Sequence, residues 1–166
     1  MSADTEIMDG EAWRAFEKKG NLGQEYIINP VLYRDIVEAI DTYRGQNLQV
    51  ADFGGGTGSL AKDWLDANLQ NRDALLKIAA QIEEARQVIG KIHVVEINRG
   101  LTEEGETSLN DLIQQQRLRF HRFDMGDTNS EYPFGDESLD LAVSRLSLMH
   151  LNNEGLTHHL HEVWRI

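Results

Sequence analysis

The stretch VADFGGGTGSLA at residues 50–61 decides how this chain is expected to fold. Leu48 to Phe53 is a short apolar run, which is typical of a buried strand in a parallel sheet. Four glycines follow within five residues, where a Cβ would block close approach of the backbone. Ser59 is a residue type that favours a helix start, and the helix is expected to run to Leu65. A strand, a glycine turn and a helix together direct backbone N–H groups at a ligand.

The spacing of the glycines narrows the choice of ligand. The dinucleotide fingerprint G-x-G-x-x-G fits Gly54 and Gly56, but Ser59 stands at its last position, which disfavours a nicotinamide oxidoreductase. The pattern Asp52-x-Gly54-x-Gly56-x-Gly58 resembles the first motif of the class I S-adenosylmethionine-dependent methyltransferases. In that family the loop wraps the methionine end of the cofactor. A glycine-rich turn without a ligand is the alternative.

Composition limits the class of protein. With 166 residues the chain is long enough for one domain with a real core. A net charge of −12 repels phosphate backbones, so a nucleic-acid partner is disfavoured. The absence of cysteine excludes disulfides and thiolate metal sites, and is consistent with an intracellular protein. Without a signal peptide or a long apolar span, the sequence predicts a cytoplasmic protein with no membrane partner.

The remaining patterns predict an α/β fold. Residues 1–25 form an N-terminal arm or a short helix, and residues 26–166 form the ligand-binding domain. Asn29-Pro30 marks a helix start ahead of the first strand, and an amphipathic helix over residues 73–89 ends at Gly90. The later elements are strands at residues 91–96, 118–123 and 139–144, a polar helix at 102–116 and a last helix at 152–166. The expected architecture is a Rossmann-like doubly wound parallel sheet with strand order 3-2-1-4.

The resemblance implies a set of residues that bind S-adenosylmethionine. Glu96 ends the second strand, where the family has an acidic residue that accepts hydrogen bonds from both ribose hydroxyls. Asp124 follows the third strand, where the family residue accepts a hydrogen bond from the adenine amine, although a turn Asp is common in itself. Asp52 orients the loop or meets the amine of the cofactor through water. The full set of cofactor-binding positions is Tyr26, Asp52, Gly54, Gly55, Gly56, Glu96, Ile97, Asp124, Met125 and Arg145.

The run from Pro133 to Leu151 strengthens the resemblance. It is similar to the family stretch P-F-x-D-x-S-F-D-L-V-x-S-x-x-x-L-H-H-L, and most similar to enzymes that act on small molecules. His150 follows the fourth strand, where open α/β sheets hold their ligands, so it is either a general base or a packed structural residue. His158, His161 and Glu162 share a helical face, but an exposed polar side of the last helix explains them without a metal.

Two functions follow from these patterns. The first is methyl transfer from S-adenosylmethionine to a small-molecule acceptor. The second is a cofactor-binding or interaction module, one part of a split or degenerate methyltransferase, because the family continues beyond the fourth strand with further strands that this sequence lacks. The fourth strand is then expected to be an open edge, which predicts a homodimer or a partner protein there or on the last helix.

Overall fold

The computed structural model describes residues 34–40, 47–65, 79–144 and 147–166. The four strands of this part of the chain form one parallel sheet in the order β3-β2-β1-β4. They are β1 (Leu48–Phe53), β2 (Ile89–Glu96), β3 (Leu118–Arg122) and β4 (Leu141–Ser144). This arrangement confirms the predicted Rossmann-like sheet. The predicted arm over residues 1–25 and the helix start at residues 29–30 lie outside the described residues.

Helices cover both faces of the sheet. They are α1 (residues 34–40), α2 (Ser59–Leu65), α3 (Ala79–Val88), α4 (Arg99–Ser108), α5 (Asn110–Gln114) and α6 (Asn153–Arg165), with a 3₁₀ turn at Leu148–His150. Asparagine side chains start two of them: Asn98 Oδ1 accepts from Leu101 N–H at 3.2 Å, and Asn152 Oδ1 accepts from Gly155 N–H at 2.8 Å. Within the described ranges no helix is long and apolar enough to cross a membrane.

The two faces of the sheet bury two separate cores, because side chains alternate between faces along each strand. Val50, Ile92 and Val94 pack with residues of helices α1, α2 and α3 in the larger core. The smaller core contains Phe53 and Val95 of the sheet together with residues from the last third of the chain, among them Tyr132, Phe134, Val163 and Ile166. Helix α6 therefore covers the face opposite to that covered by α2 and α3.

Two predictions about the helices were wrong. The helix expected to run to Ile89 ends at Val88, and β2 begins at Ile89, so Gly90 lies inside a strand rather than after a helix. A Cβ on Gly90 would collide with the Asn47 side chain, which explains a glycine there. The single polar helix expected over residues 102–116 is two helices, because the backbone of Leu109 leaves helical geometry (φ −115°) while its side chain enters the larger core.

Candidate functional site

The glycine turn is tied to the end of the neighbouring strand. The N–H groups of Gly54 and Gly55 both donate to the Val95 carbonyl, at 2.8 and 3.3 Å. Gly54, Gly56 and Gly58 have φ values of +72°, +58° and +80°, a region that favours glycine. The turn thus places its backbone at the carboxyl end of β2, where open parallel sheets bind their ligands.

The glycines of the turn differ in what an added Cβ would meet. A Cβ on Gly54 would collide with the Ser147 side chain, whose hydroxyl donates to the Phe53 carbonyl at 2.8 Å. A Cβ on Gly58 would lie 3.0 Å from the Phe120 ring. Gly56 is different, because a Cβ built there meets no atom within 4 Å. Among the glycines expected to bind the cofactor, Gly56 faces open space, whereas Gly54 is required by packing.

Glu96 ends β2 against this turn. Its Oε2 accepts a hydrogen bond from the Gly56 N–H at 3.0 Å, and its Oε1 accepts one from the Asn98 N–H at 2.8 Å. The residue is 9 % exposed, so it is not the surface glutamate that the end of a strand would also have allowed. A carboxylate has about four lone-pair sites, so two backbone donors leave acceptor capacity for a further donor.

Asp52 is buried beneath the turn. Its side chain is inaccessible to solvent, and its Oδ2 lies 2.7 Å from the position that a Cβ on Gly55 would occupy. A glycine at position 55 is therefore needed for the turn to close over this carboxylate. The role of Asp52, in orienting the loop or in meeting the amine of the cofactor through water, stays a prediction.

The segment after β3 lies beside the end of β2, because the Phe123 N–H donates to the Glu96 carbonyl at 3.2 Å. Asp124 follows as an exposed residue whose Oδ1 accepts from the Gly126 N–H at 2.8 Å. This contact is the Asx turn that the sequence left open as an alternative. Met125 is half-buried, and its carbonyl accepts a hydrogen bond from the Tyr132 hydroxyl at 3.3 Å. The geometry brings the Asp124–Met125 turn, Glu96 and the glycine turn to one edge of the sheet.

The structure describes two of the four remaining predicted positions. Ile97 is half-buried directly after β2, and His150 is exposed at the end of the 3₁₀ turn. Tyr26 and Arg145 lie outside the described residues. Among the residues that are described, no group of three or more His, Asp or Glu could hold a metal ion.

The carboxylate of Glu162 is buried, and its Oε1 lies 3.8 Å from His161 Nδ1 on the same helix. It accepts from Arg165 at 2.7 Å and from the Tyr132 N–H at 3.2 Å. The hydrogen bond from Arg165 is the main reason that the pKa of Glu162 is lowered to about 2. His161, the residue before Glu162, is exposed. The helical face that was predicted to be polar and exposed is therefore buried at Glu162 and exposed at His161.

Sequence reasoning missed a buried pair beside the site. The Tyr132 hydroxyl lies 2.6 Å from His159 Nδ1, and the two residues are each 3 % exposed. Burial lowers the pKa of His159 and raises that of Tyr132, so both groups are neutral near pH 7. The spacing of His159, Glu162 and Arg165 at three-residue intervals along one side of α6 was the available signal.

The amino-acid sequence has limited similarity to known proteins. No protein-family model matches the chain. It is 28 % identical over 105 residues to the biotin biosynthesis bifunctional protein BioHC of Teredinibacter turnerae, a match that covers 63 % of this chain and 18 % of that protein.

Two solved structures resemble the chain along nearly its whole length. A protein from Methanococcus maripaludis assigned to the S-adenosylmethionine-dependent methyltransferases superposes with a TM-score of 0.61 at 17 % identity, covering 100 % of this chain and 62 % of that one. A chain from a Haloferax volcanii complex between the Trm112 methyltransferase activator and an assigned methyltransferase gives 0.56 at 18 % identity, covering 94 % and 53 %. The chain spans less than two thirds of the length of each of these proteins. It has the Rossmann-like fold of the S-adenosylmethionine-dependent methyltransferases, as its glycine motif indicates.

Proposed function

We propose that this chain binds S-adenosylmethionine at the carboxyl ends of β1, β2 and β3 and takes part in methyl transfer to a small-molecule acceptor. The observation that carries the proposal is the contact between Glu96 and Gly56. It places a buried carboxylate with spare acceptor capacity beside a glycine that faces open space. A ribose diol needs such an acceptor, and a ligand backbone needs such an opening.

Each residue at the carboxyl ends of β1, β2 and β3 has a proposed role in binding the cofactor. Glu96 holds the ribose, Gly56 admits the methionine end of the cofactor, and Asp52 keeps the turn closed from below. Ile97, Asp124 and Met125 surround the adenine, and Tyr26 and Arg145 complete the walls. The bound cofactor would supply an electrophilic methyl group on a sulfonium. The chain contributes alignment and removal of water, which is most of what an in-line displacement requires.

The proposal of a small-molecule acceptor for the methyl group rests on the net charge of the chain and on its sequence motifs. A net charge of −12 disfavours a nucleic acid, and no Asn-Pro-Pro-Tyr motif follows β4. The name of the BioHC relative, which refers to biotin biosynthesis, agrees with a small molecule. His150 is the candidate base, and its exposure after β4 leaves it accessible to an acceptor. A cytoplasmic location is part of the proposal, and the absence of cysteine is consistent with it.

A second candidate function is an interaction module that binds the cofactor without methylating alone. Trp164 is 88 % exposed and Leu160 is 56 % exposed on the outer side of α6, and Met149 is exposed nearby in sequence. Within the part of the chain that the structure describes, strand β4 pairs only with β1, and its other side is an edge there. Exposed apolar groups and a strand edge favour association with a second copy or a partner protein.

Isothermal titration with S-adenosylhomocysteine tests the proposed binding. The Glu96→Gln variant removes the charge of the carboxylate, and Glu106→Gln makes the same change at an exposed position of α4. We expect the first variant to weaken binding about tenfold or more, because hydrogen bonds to charged groups contribute about 1.5–3 kcal/mol, and the second to leave it unchanged. Equal affinities in both variants would contradict the ribose role. A methyl-transfer assay with and without a candidate partner then separates the two functions.

A further inference from the structure

A buried tyrosine connects the last helix to the turn after β3. Tyr132 packs against Phe53, with ring centroids 5.6 Å apart, and His159 packs against the same Phe53 ring at 5.2 Å. The Tyr132 hydroxyl lies between the Met125 carbonyl at 3.3 Å and His159 Nδ1 at 2.6 Å. Both side chains are almost inaccessible to solvent, so neither can contact a substrate, and any role must act through other residues.

The hydroxyl has a single hydrogen, which fixes how the two contacts can be satisfied together. The Met125 carbonyl can only accept, so the tyrosine must donate its hydrogen to it. His159 must then carry its proton on Nδ1 and donate to the tyrosine oxygen. In the other tautomer the tyrosine donates to His159, and the Met125 carbonyl loses this donor. The tautomer of His159 is thereby coupled to the hydrogen bond that holds the turn.

Helix α6 also fixes the backbone that carries this tyrosine. The Glu162 carboxylate accepts from the Tyr132 N–H at 3.2 Å. Arg165 donates to the Phe134 carbonyl at 3.3 Å and to the Asp136 carboxylate at 2.6 Å. An inner row of α6 therefore contacts residues 132–136 through both side-chain and backbone atoms. It consists of His159, Glu162 and Arg165.

We propose that Tyr132, held by His159, is a positioning residue that sets the Asp124–Met125 turn for recognition of the adenine base. The inference deepens the proposed function and rests on it. Asp124 lies next to the carbonyl that Tyr132 holds, so a turn released from Tyr132 can shift its carboxylate away from the base. The expected consequence is a loss of base discrimination and not a general loss of ligand binding.

The test compares two ligands that differ only at the base, S-adenosylhomocysteine and S-inosylhomocysteine. The inosine compound replaces the amine with a carbonyl, so a carboxylate acceptor would face another acceptor. We expect the parent protein to prefer the adenosine compound by about fivefold or more, the scale of one hydrogen bond. Tyr132→Phe keeps the ring and removes the hydroxyl, and should bring the ratio of the two dissociation constants close to one.

Variants at the histidine separate positioning from packing. His159→Leu should lower the ratio as Tyr132→Phe does, and His159→Asn, which can present an amide near the position of Nδ1, should restore much of it. Thr157→Asn is the control at an exposed position of α6 and should leave the ratio unchanged. Denaturation of each variant without ligand shows whether it is folded.

The outcomes distinguish this inference from the proposed function. If the parent binds neither ligand, the proposed function fails and the inference fails with it. If the parent prefers the adenosine compound and folded Tyr132→Phe and His159→Leu keep that preference, even with weaker binding of both ligands, the inference is overturned alone. A parent that binds both ligands equally also overturns it, because the turn then does not recognise the base.

Discussion

The carboxylate of Glu96 accepts a hydrogen bond from the N–H of Gly56 at 3.0 Å, across 40 residues of sequence. This contact joins the end of β2 to the turn after β1 and uses one oxygen of a buried side chain. A ribose hydroxyl that approaches Glu96 can use the acceptor capacity that this donor leaves free. The same residue therefore stabilises the turn in the free protein and is the proposed ligand contact.

Glu96→Ala should destabilise the free protein, because the N–H groups of Gly56 and Asn98 lose their acceptor. Each buried donor left without a partner costs about 1–3 kcal/mol. Glu96→Gln keeps one acceptor oxygen, and should fall between the parent and Glu96→Ala in urea denaturation without ligand. If Glu96→Ala is as stable as the parent, the carboxylate does not hold the turn.

Gly54→Ala and Gly56→Ala form a matched pair. Both positions have a positive φ, so both variants carry a backbone penalty of about 1–2 kcal/mol. Only the Cβ at position 54 also collides with the Ser147 side chain. We expect Gly54→Ala to lose markedly more stability, and Gly56→Ala to stay folded but bind S-adenosylhomocysteine weakly. Equal unfolding midpoints for the two variants would contradict the packing role of Gly54.

The sequence predicted the sheet order and the approximate place of all four strands, because apolar runs and glycine turns are local signals. Contacts between distant segments were not predictable. Nothing in the sequence around Gly54 indicates that Ser147 fills the space above it. Val143 lies on a strand expected to be an open edge, yet its side chain is buried in the larger core, since an edge strand still turns one face inward.

A pair of histidines should make stability depend on pH. His93 Nδ1 lies 2.9 Å from His121 Nε2, and burial lowers the pKa of each to about 4. The unfolded chain takes up protons near the usual pKa of about 6.5, so it binds more protons than the folded chain between the two values. The free energy of unfolding should therefore fall as the pH falls from about 6.5 toward 4.

The doubly substituted His93→Gln, His121→Gln variant should lose most of this slope. Urea denaturation at several pH values between 4.5 and 7 measures it for variant and parent. The pKa of Glu162 is lowered from the usual 4.5 to about 2. The parent and the variant should therefore both lose further stability as the pH falls below about 4.5. An unchanged slope in the double variant would show that His93 and His121 are not its source.

Association through β4 is expected to respond to charge at an exposed position of the strand. Ala142 is exposed, and it is a better site for the test than Val143, whose buried side chain would take a charge into the core. We expect the parent to sediment as a dimer at low micromolar concentration and Ala142→Asp to sediment as a monomer. Thr157→Asp, at an exposed position of α6, controls for added charge. A monomeric parent would rule out the homodimer.

The central claim is that the edge formed by Gly56, Glu96 and Asp124 binds S-adenosylmethionine. Isothermal titration of the parent chain with S-adenosylhomocysteine, with NAD as the comparison ligand, tests it most directly. We predict saturable binding of the first compound at one site in the micromolar range, and no binding of NAD. Heat signals absent for S-adenosylhomocysteine at millimolar concentration, or tighter binding of NAD, would contradict the account.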